Sequence, residues 1–349
     1  MIRHSGRQPS LHKRREPSAR AVGRPAAGPA RQRGVAIITA VLVVALVASM
    51  TFFMAWREQL WIRVVENQTD AAEAKAIARA ALNLVRASLR DDGRPNNGQP
   101  PYDHPGEAWA VPITKMPVER GEAGGQVVDQ QGLFNLNSLV KQETQGQDQA
   151  AYVKNPPGFD QFVALLGRLQ LPQSLALTLL DWLDSGNEPV TGGAEEMDYL
   201  NLDHPYRPPN QPIVDFAELK RVKGFTPEAM AKLRPFVTVL PLSQAAEEGR
   251  ININFAPAEV LAGINGIGDA GASLIVQKRR EKPFASVDEV KALFQDPQGT
   301  PIDETAIGVR TYFFEARVSA RFGRVAVTYT ALLKRDSSNK VSVIWLKQL

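Results

Sequence analysis

The sequence contains no cysteine, which excludes disulfide bonds, thiolate metal sites and cysteine nucleophiles. It also has only four histidines. His4 and His12 lie near the N-terminus, whereas His104 and His204 lie in separate polar segments without a paired nucleophile. No complete phosphate-binding loop or zinc-hydrolase motif is present. We therefore expect a protein that is not an enzyme.

Acidic residues are nearly absent from residues 1–34. Of the 41 Lys/Arg and 37 Asp/Glu of the chain, this leader holds nine basic residues and one acid, Glu16. The remaining 32 basic and 36 acidic residues give the rest of the chain a net charge of −4. That balance predicts no general attraction for nucleic acid, so we expect no nucleic-acid partner. The leader has the composition of a disordered segment, and its positive charge predicts a cytoplasmic N-terminus.

Glycine and proline are absent from residues 35–90, and charge is absent from residues 35–56. Twenty-two helical residues span roughly 33 Å, so residues 35–56 are predicted to form a transmembrane helix. Beyond Trp56 the pattern becomes amphipathic without a helix-breaking residue, which predicts that the same helix continues outside the membrane over residues 57–92. Asp91-Asp92-Gly93, followed by Pro95, is typical of a helix end.

The junction between leader and apolar helix carries a resemblance. Arg31-Gln32-Arg33-Gly34 followed by Val35-Ala36-Ile37-Ile38-Thr39 resembles the signal of type IV prepilins and pseudopilins. In that family a prepilin peptidase cuts after the glycine and methylates the new N-terminus. The resemblance implies that Gly34 precedes the cut and that Val35 is the mature N-terminus. Thr39 stands where the family usually has a glutamate. An uncleaved single-pass anchor is the alternative.

Short segments that alternate apolar and polar residues predict an antiparallel sheet. They are Thr311–Ala320, Val325–Lys334 and Lys340–Trp345, with shorter strands at Ala108–Ile113 and Gln126–Val128. Between these two sets lie about 170 mostly helical residues. We therefore predict an α+β fold with a long N-terminal transmembrane and amphipathic helix and a pilin-like antiparallel sheet. The sheet domain comprises residues 93–131 and 306–349, and residues 132–305 form a large inserted, mainly α-helical domain.

Two segments of this insert, Asp215–Leu233 and Pro257–Arg280, each contain two short helical stretches around a glycine-bearing turn. The second, with Gly266 and Gly268, resembles a helix-hairpin-helix module, in which backbone N–H groups approach a phosphate. Residues 251–294, however, hold five basic and five acidic residues, which favours a tight hairpin that packs two helices. A membrane-anchored helix-hairpin-helix receptor for DNA binding and uptake is therefore the alternative function.

An acidic loop follows the predicted helix Pro172–Leu183. It carries seven carboxylates and no Lys or Arg: Asp181, Asp184, Glu188, Glu195, Glu196, Asp198 and Asp203. Carboxylates in one loop repel each other unless a cation lies among them, and Ca²⁺ accepts six to eight oxygen ligands in irregular geometry. The spacing matches no EF-hand. Charge alone therefore favours a calcium site and a merely solvated loop equally.

The same region carries a second resemblance, to the minor pseudopilin K family of type II secretion systems, also called general secretion pathway protein K. The residues that carry it are Asp181-Trp182-Leu183-Asp184, Gly193-Ala194-Glu195, Asp198-Tyr199, Pro205-Tyr206-Arg207, Asn210, Glu218-Leu219 and Val222-Lys223-Gly224. Members of that family bind calcium in the inserted helical domain. The resemblance implies a structural Ca²⁺ ion here, held by Asp184, Asn187, Glu188, Glu195 and Asp198.

This resemblance also implies a function. The protein would be a minor pseudopilin in the inner membrane, single-pass, with a cytoplasmic N-terminus and a periplasmic body. It would pack its N-terminal helix parallel to those of the minor pseudopilins I and J. At the tip of the pseudopilus it would initiate assembly for protein export across the outer membrane. The family's lack of the fifth-position glutamate matches Thr39.

Overall fold

The structure, a computed structural model, describes residues 32–95, 100–145, 149–186, 188, 190–294 and 301–349. The chain divides into two compact units, residues 1–64 and residues 65–349. The described part of the first unit is helical throughout and belongs to helix α1 (Gln32–Asp92, 61 residues). An 18-residue window of this helix has a mean hydropathy of 2.6, so α1 is long and apolar enough to cross a membrane. The predicted uninterrupted helix is confirmed.

The second unit contains the strands and the other helices. Its strands are β1 (Ile113–Val118), β2 (Gly121–Asp129), β3 (Phe134–Asn135), β4 (Val140–Gln145), β5 (Gln149–Lys154), β6 (Val237–Thr238), β7 (Ile251–Asn252), β8 (Ile307–Gly308), β9 (Phe313–Phe322), β10 (Val325–Arg335) and β11 (Val341–Gln348). Its α-helices are α2 (Pro156–Arg168), α3 (Ser174–Leu183), α4 (Glu196–Leu200), α5 (Pro227–Leu233), α6 (Ala258–Ala262), α7 (Gly268–Glu281) and α8 (Val287–Lys291). Short 3₁₀ helices cover Ala108–Ala110, Leu136–Leu139, Phe216–Arg221, Ala246–Gly249 and Ala292–Phe294.

A five-stranded antiparallel sheet organises the second unit. Its spatial order is β1-β2-β9-β10-β11. The turn Gly323-Arg324 joins β9 to β10, and Gly323 takes the positive φ of 51° that such a tight turn requires. The three predicted C-terminal strands are confirmed, with ends that differ from the prediction by at most three residues. The antiparallel, mixed helix-and-sheet class is confirmed as well.

The predicted strand Ala108–Ile113 is wrong over its first part. Ala108–Ala110 form a 3₁₀ turn, and β1 begins only at Ile113. The cause is Trp109, which is buried and donates its indole N–H to Glu107 Oε2 at 2.8 Å. The backbone N–H of Ala110 also donates to Glu107 O at 3.0 Å, which closes the turn. Gln126–Val128 belong to the longer strand β2.

One face of the sheet packs against the second half of α1. Ala74, Ala78, Leu82 and Leu89 are buried there, at spacings that place them on one helical face. The alternating buried residues of β9 and β10 face them, including Phe314, Ala316, Val318, Ala331 and Leu333. Apolar residues that recur about every 3.6 residues in the helix and every 2 residues in the strands therefore pack into one core.

The mainly helical segment leaves and rejoins the sheet between two adjacent strands. Strands β2 and β9 are paired so that Asp129, the last residue of β2, lies opposite Phe314 at the start of β9. Residues 130–312 therefore start and finish at one end of the sheet. They form their own core around large buried side chains, among them Phe134, Phe162, Leu166, Trp182 and Ile253.

Two buried asparagines hold distant stretches of this segment together. Asn137 donates through Nδ2 to Ile213 O and Leu240 O, both at 2.9 Å. Asn254 donates to Phe284 O at 2.9 Å and to Asp103 O at 3.1 Å. Both amides are buried, so each satisfies backbone carbonyls that water cannot reach. These two asparagines therefore connect loops that are distant in sequence.

Candidate functional site

The acidic loop is positioned by helices α3 and α4. Helix α3 is almost entirely buried and ends at Leu183, so Asp181 and Asp184 lie at its C-terminal end. At the start of helix α4, Asp198 Oδ2 accepts from the backbone N–H of Glu195 at 3.2 Å. The rings of Trp182 and Tyr199 pack edge to face, with centroids 5.3 Å apart, and connect the two helices. Buried packing thus brings these carboxylates near one another.

Asp181 is fully buried and holds the returning chain. Its carboxylate accepts from Ala194 N at 2.8 Å and from Val190 N at 3.3 Å. A Cβ on Gly193 would overlap Asp181 Oδ2, so only glycine fits at this close approach. Burial raises the pKa of Asp181 to about 6, since its two backbone hydrogen bonds only partly offset the lost hydration. Asp181 belongs to the carboxylate-rich segment but is not among the predicted calcium ligands.

Glu195 is the least satisfied carboxylate of the loop. Its side chain is only 4% exposed, and neither carboxylate oxygen has a hydrogen-bond partner among the described residues. Burial, followed by the charges of Asp181 and Asp184, raises the pKa of Glu195 to about 7. A buried carboxylate normally has a partner, because an unpaired one is costly. Two unpaired oxygens facing other carboxylates are the donor set that a hard cation such as Ca²⁺ prefers.

The remaining predicted ligands differ in their surroundings. Asp184 is partly buried, accepts from Gly186 N at 3.0 Å and has a raised pKa because of burial. Glu188 is exposed, and Asn187 lies outside the described residues. Asp198 pairs with Lys223, whose Nζ lies 2.7 Å from Asp198 Oδ1 and lowers the pKa of that carboxyl. Asp181 and Asp184 therefore lie near enough to Glu195 to raise its pKa, although in the described part of the chain these three carboxylates do not have oxygens within 4.8 Å of one another. Asp198, in contrast, has a lysine partner.

A tighter carboxylate group lies at the end of α1. Among the described residues, Asp92, Asp103 and Glu107 are the three whose oxygens lie within 4.8 Å of one another. The buried guanidinium of Arg335 pairs with two of them, with Nη2 2.6 Å from Asp103 and Nη1 3.0 Å from Asp92. Burial raises the pKa of Glu107 to about 8. The group is an internal ion-pair cluster.

The predicted processing junction lies at the start of α1. Gly34 and Val35 are exposed, and a Cβ at Gly34 would meet nothing within 4 Å. Thr39 donates its hydroxyl to Val35 O and Ala36 O, each at 3.0 Å. The residue at the fifth position after Gly34 therefore satisfies its own polar group, as hydrocarbon surroundings require.

The glycine turn between α6 and α7 is covered by the chain itself. Gly266 has a φ of 82°, and a Cβ there would lie only 2.5 Å from Pro301 O. Arg279 Nη1 donates to Ile253 O at 2.6 Å and to Ala256 O at 2.7 Å, and Asp269 pairs with Arg168 at 2.9 Å. Main chain thus occupies one side of Gly266, and Arg279 is engaged internally. The DNA-receptor alternative is not favoured, and the helix-hairpin-helix assignment stays a prediction.

Comparison with known proteins identifies relatives over most of the chain. Two family models, both described as type II secretion system protein K, match residues 132–242 and 251–310. A type II secretion system protein K from Pseudomonas aeruginosa is 34% identical over 319 residues, covering 90% of this chain and 92% of the relative. The protein of that name from Pectobacterium carotovorum is 28% identical, covering 90% and 95%.

A solved structure has a similar fold. It is a chain of the GspK-GspI-GspJ complex of the enterotoxigenic Escherichia coli type 2 secretion system. The TM-score is 0.63 at 23% identity, and the match covers 81% of this chain and 98% of that one. At this identity the match shows the shared fold.

Proposed function

This chain belongs to the type II secretion system protein K family, and from that premise we propose that it is the subunit at the tip of the pseudopilus. The resemblance found in the sequence is thereby confirmed. The family consists of minor pseudopilins, which are structural components of secretion rather than enzymes. The tip position, the partners, the processing and the calcium ion are the parts that we propose.

The observation that carries the tip position is where the helical segment leaves the sheet. Residues 130–312 start beside Asp129 and finish beside Phe314. Arg335, at the end of β10, binds both the last turn of α1 through Leu89 O and Thr311 O in the returning chain. The bulk of the insert is therefore attached at the C-terminal end of α1. A subunit stacked above that end would collide with it, whereas a terminal subunit has none above it.

Thr39 supports the same position. In a filament of parallel helices, a buried glutamate near the N-terminus would need a positively charged partner from a neighbouring subunit. The Thr39 hydroxyl is satisfied within its own helix. This chain therefore needs no such neighbour on that side.

The proposed partners are the minor pseudopilins I and J. The similar solved chain forms a complex with GspI and GspJ. We propose that the present chain binds the corresponding subunits of its own system through parallel N-terminal helices. Helix α1 would anchor it in the inner membrane, and prepilin peptidase would cut between Gly34 and Val35.

We propose that Ca²⁺ binds the acidic loop. Asp181, Asp184 and Glu195 would hold it, with Glu188 and Asn187 available from the adjoining turn. The two unpaired oxygens of Glu195 support this assignment. The ion would offset most of the negative charge of these carboxylates and connect the ends of α3 and α4.

Gold labelling of assembled pseudopili tests the tip position. An antibody against residues 132–305 should label filament ends, with one site per filament, in cells that express the complete system. A filament-side antibody against the major subunit serves as the control. Labelling along the filament walls would contradict the proposal. The proposed partners are tested separately by purifying the chain from membrane extracts. The minor pseudopilins I and J should co-purify with it in equal amounts.

A further inference from the structure

The outer half of α1 has one strongly basic face. Lys75, Arg79, Asn83, Arg86 and Arg90 follow one another at intervals of four, four, three and four residues. At 100° per residue these positions fall within a narrow stripe, which extends over roughly 22 Å of the helix. The acids Asp70 and Glu73 lie on the other side and pair with Arg120. One helix face therefore carries four cations and no carboxylate.

These cations are largely unpaired within the chain. Among the described residues, no carboxylate lies within 4.0 Å of the charged nitrogens of Lys75, Arg79 or Arg86, and Arg90 has only a 3.5 Å contact with the exposed Asp91. Arg86 Nε and Nη2 donate instead to Val341 O, at 3.2 and 2.9 Å. These two hydrogen bonds hold the basic face of α1 against the start of β11. We call this face, formed by Lys75, Arg79, Asn83, Arg86 and Arg90, the basic stripe.

A cleft of about 380 Å³ lies at the end of this stripe. The described residues that line it include Arg86, Arg90 and Lys340 and no carboxylate. Next to it, Val343 and Leu346 of β11 pair with Leu333 and Ala331, whose side chains face α1. Directly opposed residues share a face of the sheet, so Val343 and Leu346 point to the same side as the cleft.

These apolar side chains are not covered. Val343 is 38% exposed and Leu346 is 45% exposed. In the described part of the chain β11 pairs only with β10, so it forms a free edge. Exposed apolar side chains bordered by positive charges are typical of a protein-binding surface.

We propose that the basic stripe and the adjoining edge of β11 bind an acidic helix of another subunit of the assembly. Charge complementarity identifies the partner, because cations at helical spacing match carboxylates repeated at the same spacing on a second helix. The partner's apolar side chains would pack on Val343 and Leu346. The proposal rests on the proposed function, since the partner is a subunit of the same filament.

The opposite edge of the sheet is less suited to this partner. A groove of about 290 Å³ lies there between α1 and β1, and its described lining contains no charged residue. Pro117 and the register shift between Ile113 and Met116 also interrupt β1 as a strand edge. Only the β11 side combines exposed apolar side chains with unpaired charge.

Site-specific photo-cross-linking tests the proposal. The full chain, carrying p-benzoylphenylalanine at Val343, is expressed in cells with the minor pseudopilins I and J. Mass spectrometry of the adduct should find a helical peptide of another subunit with carboxylates at three- or four-residue spacing. The same photoreactive residue at Leu84, on the other edge, should not form this adduct.

A charge-reversed variant tests the electrostatic part. Arg79→Glu with Arg90→Glu should lower the adduct yield roughly tenfold, since like charges would now face each other. The matched control, Lys115→Glu with Lys220→Glu, changes the net charge equally on exposed positions elsewhere and should leave the yield unchanged. Equal yields in the two double variants would overturn the proposal.

Other outcomes are equally decisive. An adduct with lipid, with a second copy of this chain or with a peptide that lacks carboxylates would also overturn it. Co-purification of I and J is measured in the same extracts. If I and J co-purify but no cross-link to a carboxylate-bearing helix forms, the proposed binding surface is wrong and the proposed function stands. If the acidic adduct forms with another subunit but I and J do not co-purify, the surface stands and the proposed partners are wrong.

Discussion

A single buried arginine connects three parts of the second unit. Arg335 is fully buried, and its guanidinium donates to Leu89 O, to Asp92 and to Asp103, at distances from 2.6 to 3.1 Å. Asp103 O in turn accepts from the side chain of Asn254. The guanidinium of Arg335 therefore lies where the end of α1, the loop before β1 and the helical segment meet. Its removal would leave buried carboxylates unpaired.

Arg335→Met should therefore destabilise the protein strongly. Breaking a buried ion pair costs about 3–5 kcal/mol, because the remaining carboxylate of Asp103 loses its partner. Urea unfolding of the full chain in detergent, followed by the fluorescence of the nearby Trp109, measures this loss. Arg321→Met, at a largely exposed position, is the control and should change the unfolding free energy by less than about 0.5 kcal/mol. Adding Asp103→Asn to Arg335→Met should recover part of the loss.

Glu195 carries the residue-level prediction for calcium. Calcium should raise the melting temperature of the wild-type full chain, because the ion binds only the folded loop. Glu195→Gln should abolish most of that rise, and without calcium this variant should be at least as stable as wild type, since it removes an unpaired buried charge. Glu196→Gln, which alters a partly buried residue paired with Arg207, should keep the calcium response. A full response in Glu195→Gln would place the ion elsewhere.

The sequence was informative about some site residues and silent about others. The density of carboxylates after Leu183 was visible in sequence, but charge alone left a cation site and a solvated loop equally open, and the calcium site stays a prediction. The roles of Asp181 and Arg335 were not visible, since they depend on contacts with residues distant in the chain. Asp103 and Arg335 are 232 residues apart. Only the folded chain shows that such residues meet.

At the scale of elements, periodicity predicted most of what the structure contains. The absence of glycine and proline from residues 35–90 predicted α1, and apolar alternation predicted β9, β10 and β11. The 3₁₀ turn at Ala108–Ala110 was missed because the bond from Trp109 to Glu107 overrides a short strand-like pattern. Very short pairings such as β3 with β6 are also beyond a sequence-based prediction, since two-residue strands have no period.

The N-terminal element carries a prediction about processing. Membrane-expressed protein should lose residues 1–34 when prepilin peptidase is present, and Val35 should gain a methyl group. Intact-mass measurement with and without the peptidase tests both. Gly34→Leu should block the cut while leaving the fold unchanged, because a side chain at Gly34 meets no neighbouring atom. An unchanged wild-type mass would establish the uncleaved anchor.

Variants of the turn between α6 and α7 distinguish a packing role of its glycines from a role in DNA binding. Gly266→Ala should destabilise the fold by about 1–3 kcal/mol, because the position has a positive φ and the new Cβ would collide with Pro301 O. Gly268→Ala, whose φ is also positive but whose Cβ meets nothing within 4 Å, should cost clearly less. Thermal melts of the two variants compare these costs. Tight binding of duplex DNA at low salt that is lost in Gly266→Ala would revive the receptor alternative.

At the scale of the whole molecule, the chain combines a long apolar helix with a body in which positive and negative charges lie in separate places. The positive leader, the basic face of α1 and the acidic loop lie in different parts of the sequence, so the net charge of +4 describes none of them. Several carboxylates of the body are buried beside one another. Their protonation therefore makes the stability of the molecule depend on pH.

Stability in a chelator should fall as pH rises from about 5 to 8. Burial raises the pKa of Glu107 to about 8 and that of Asp129 to about 7, from ordinary values of 4.5 and 3.8. In that window the folded protein holds more protons than the unfolded chain, so each added pH unit costs up to roughly 1.4 kcal/mol per retained proton.

Glu107→Gln isolates one part of this dependence. Glutamine can still accept from Trp109 Nε1 and from His104 N, the two bonds that Glu107 Oε2 now receives, but it does not titrate. The variant should therefore lose less stability than wild type between pH 6 and 8, as measured by urea unfolding across the range. Glu119→Gln, at an exposed position, should follow the wild-type profile. If the unfolding free energy of Glu107→Gln and of wild type depended on pH in the same way, Glu107 would be ionised at neutral pH. The cluster around Arg335 would then carry one more negative charge than the raised pKa of Glu107 implies.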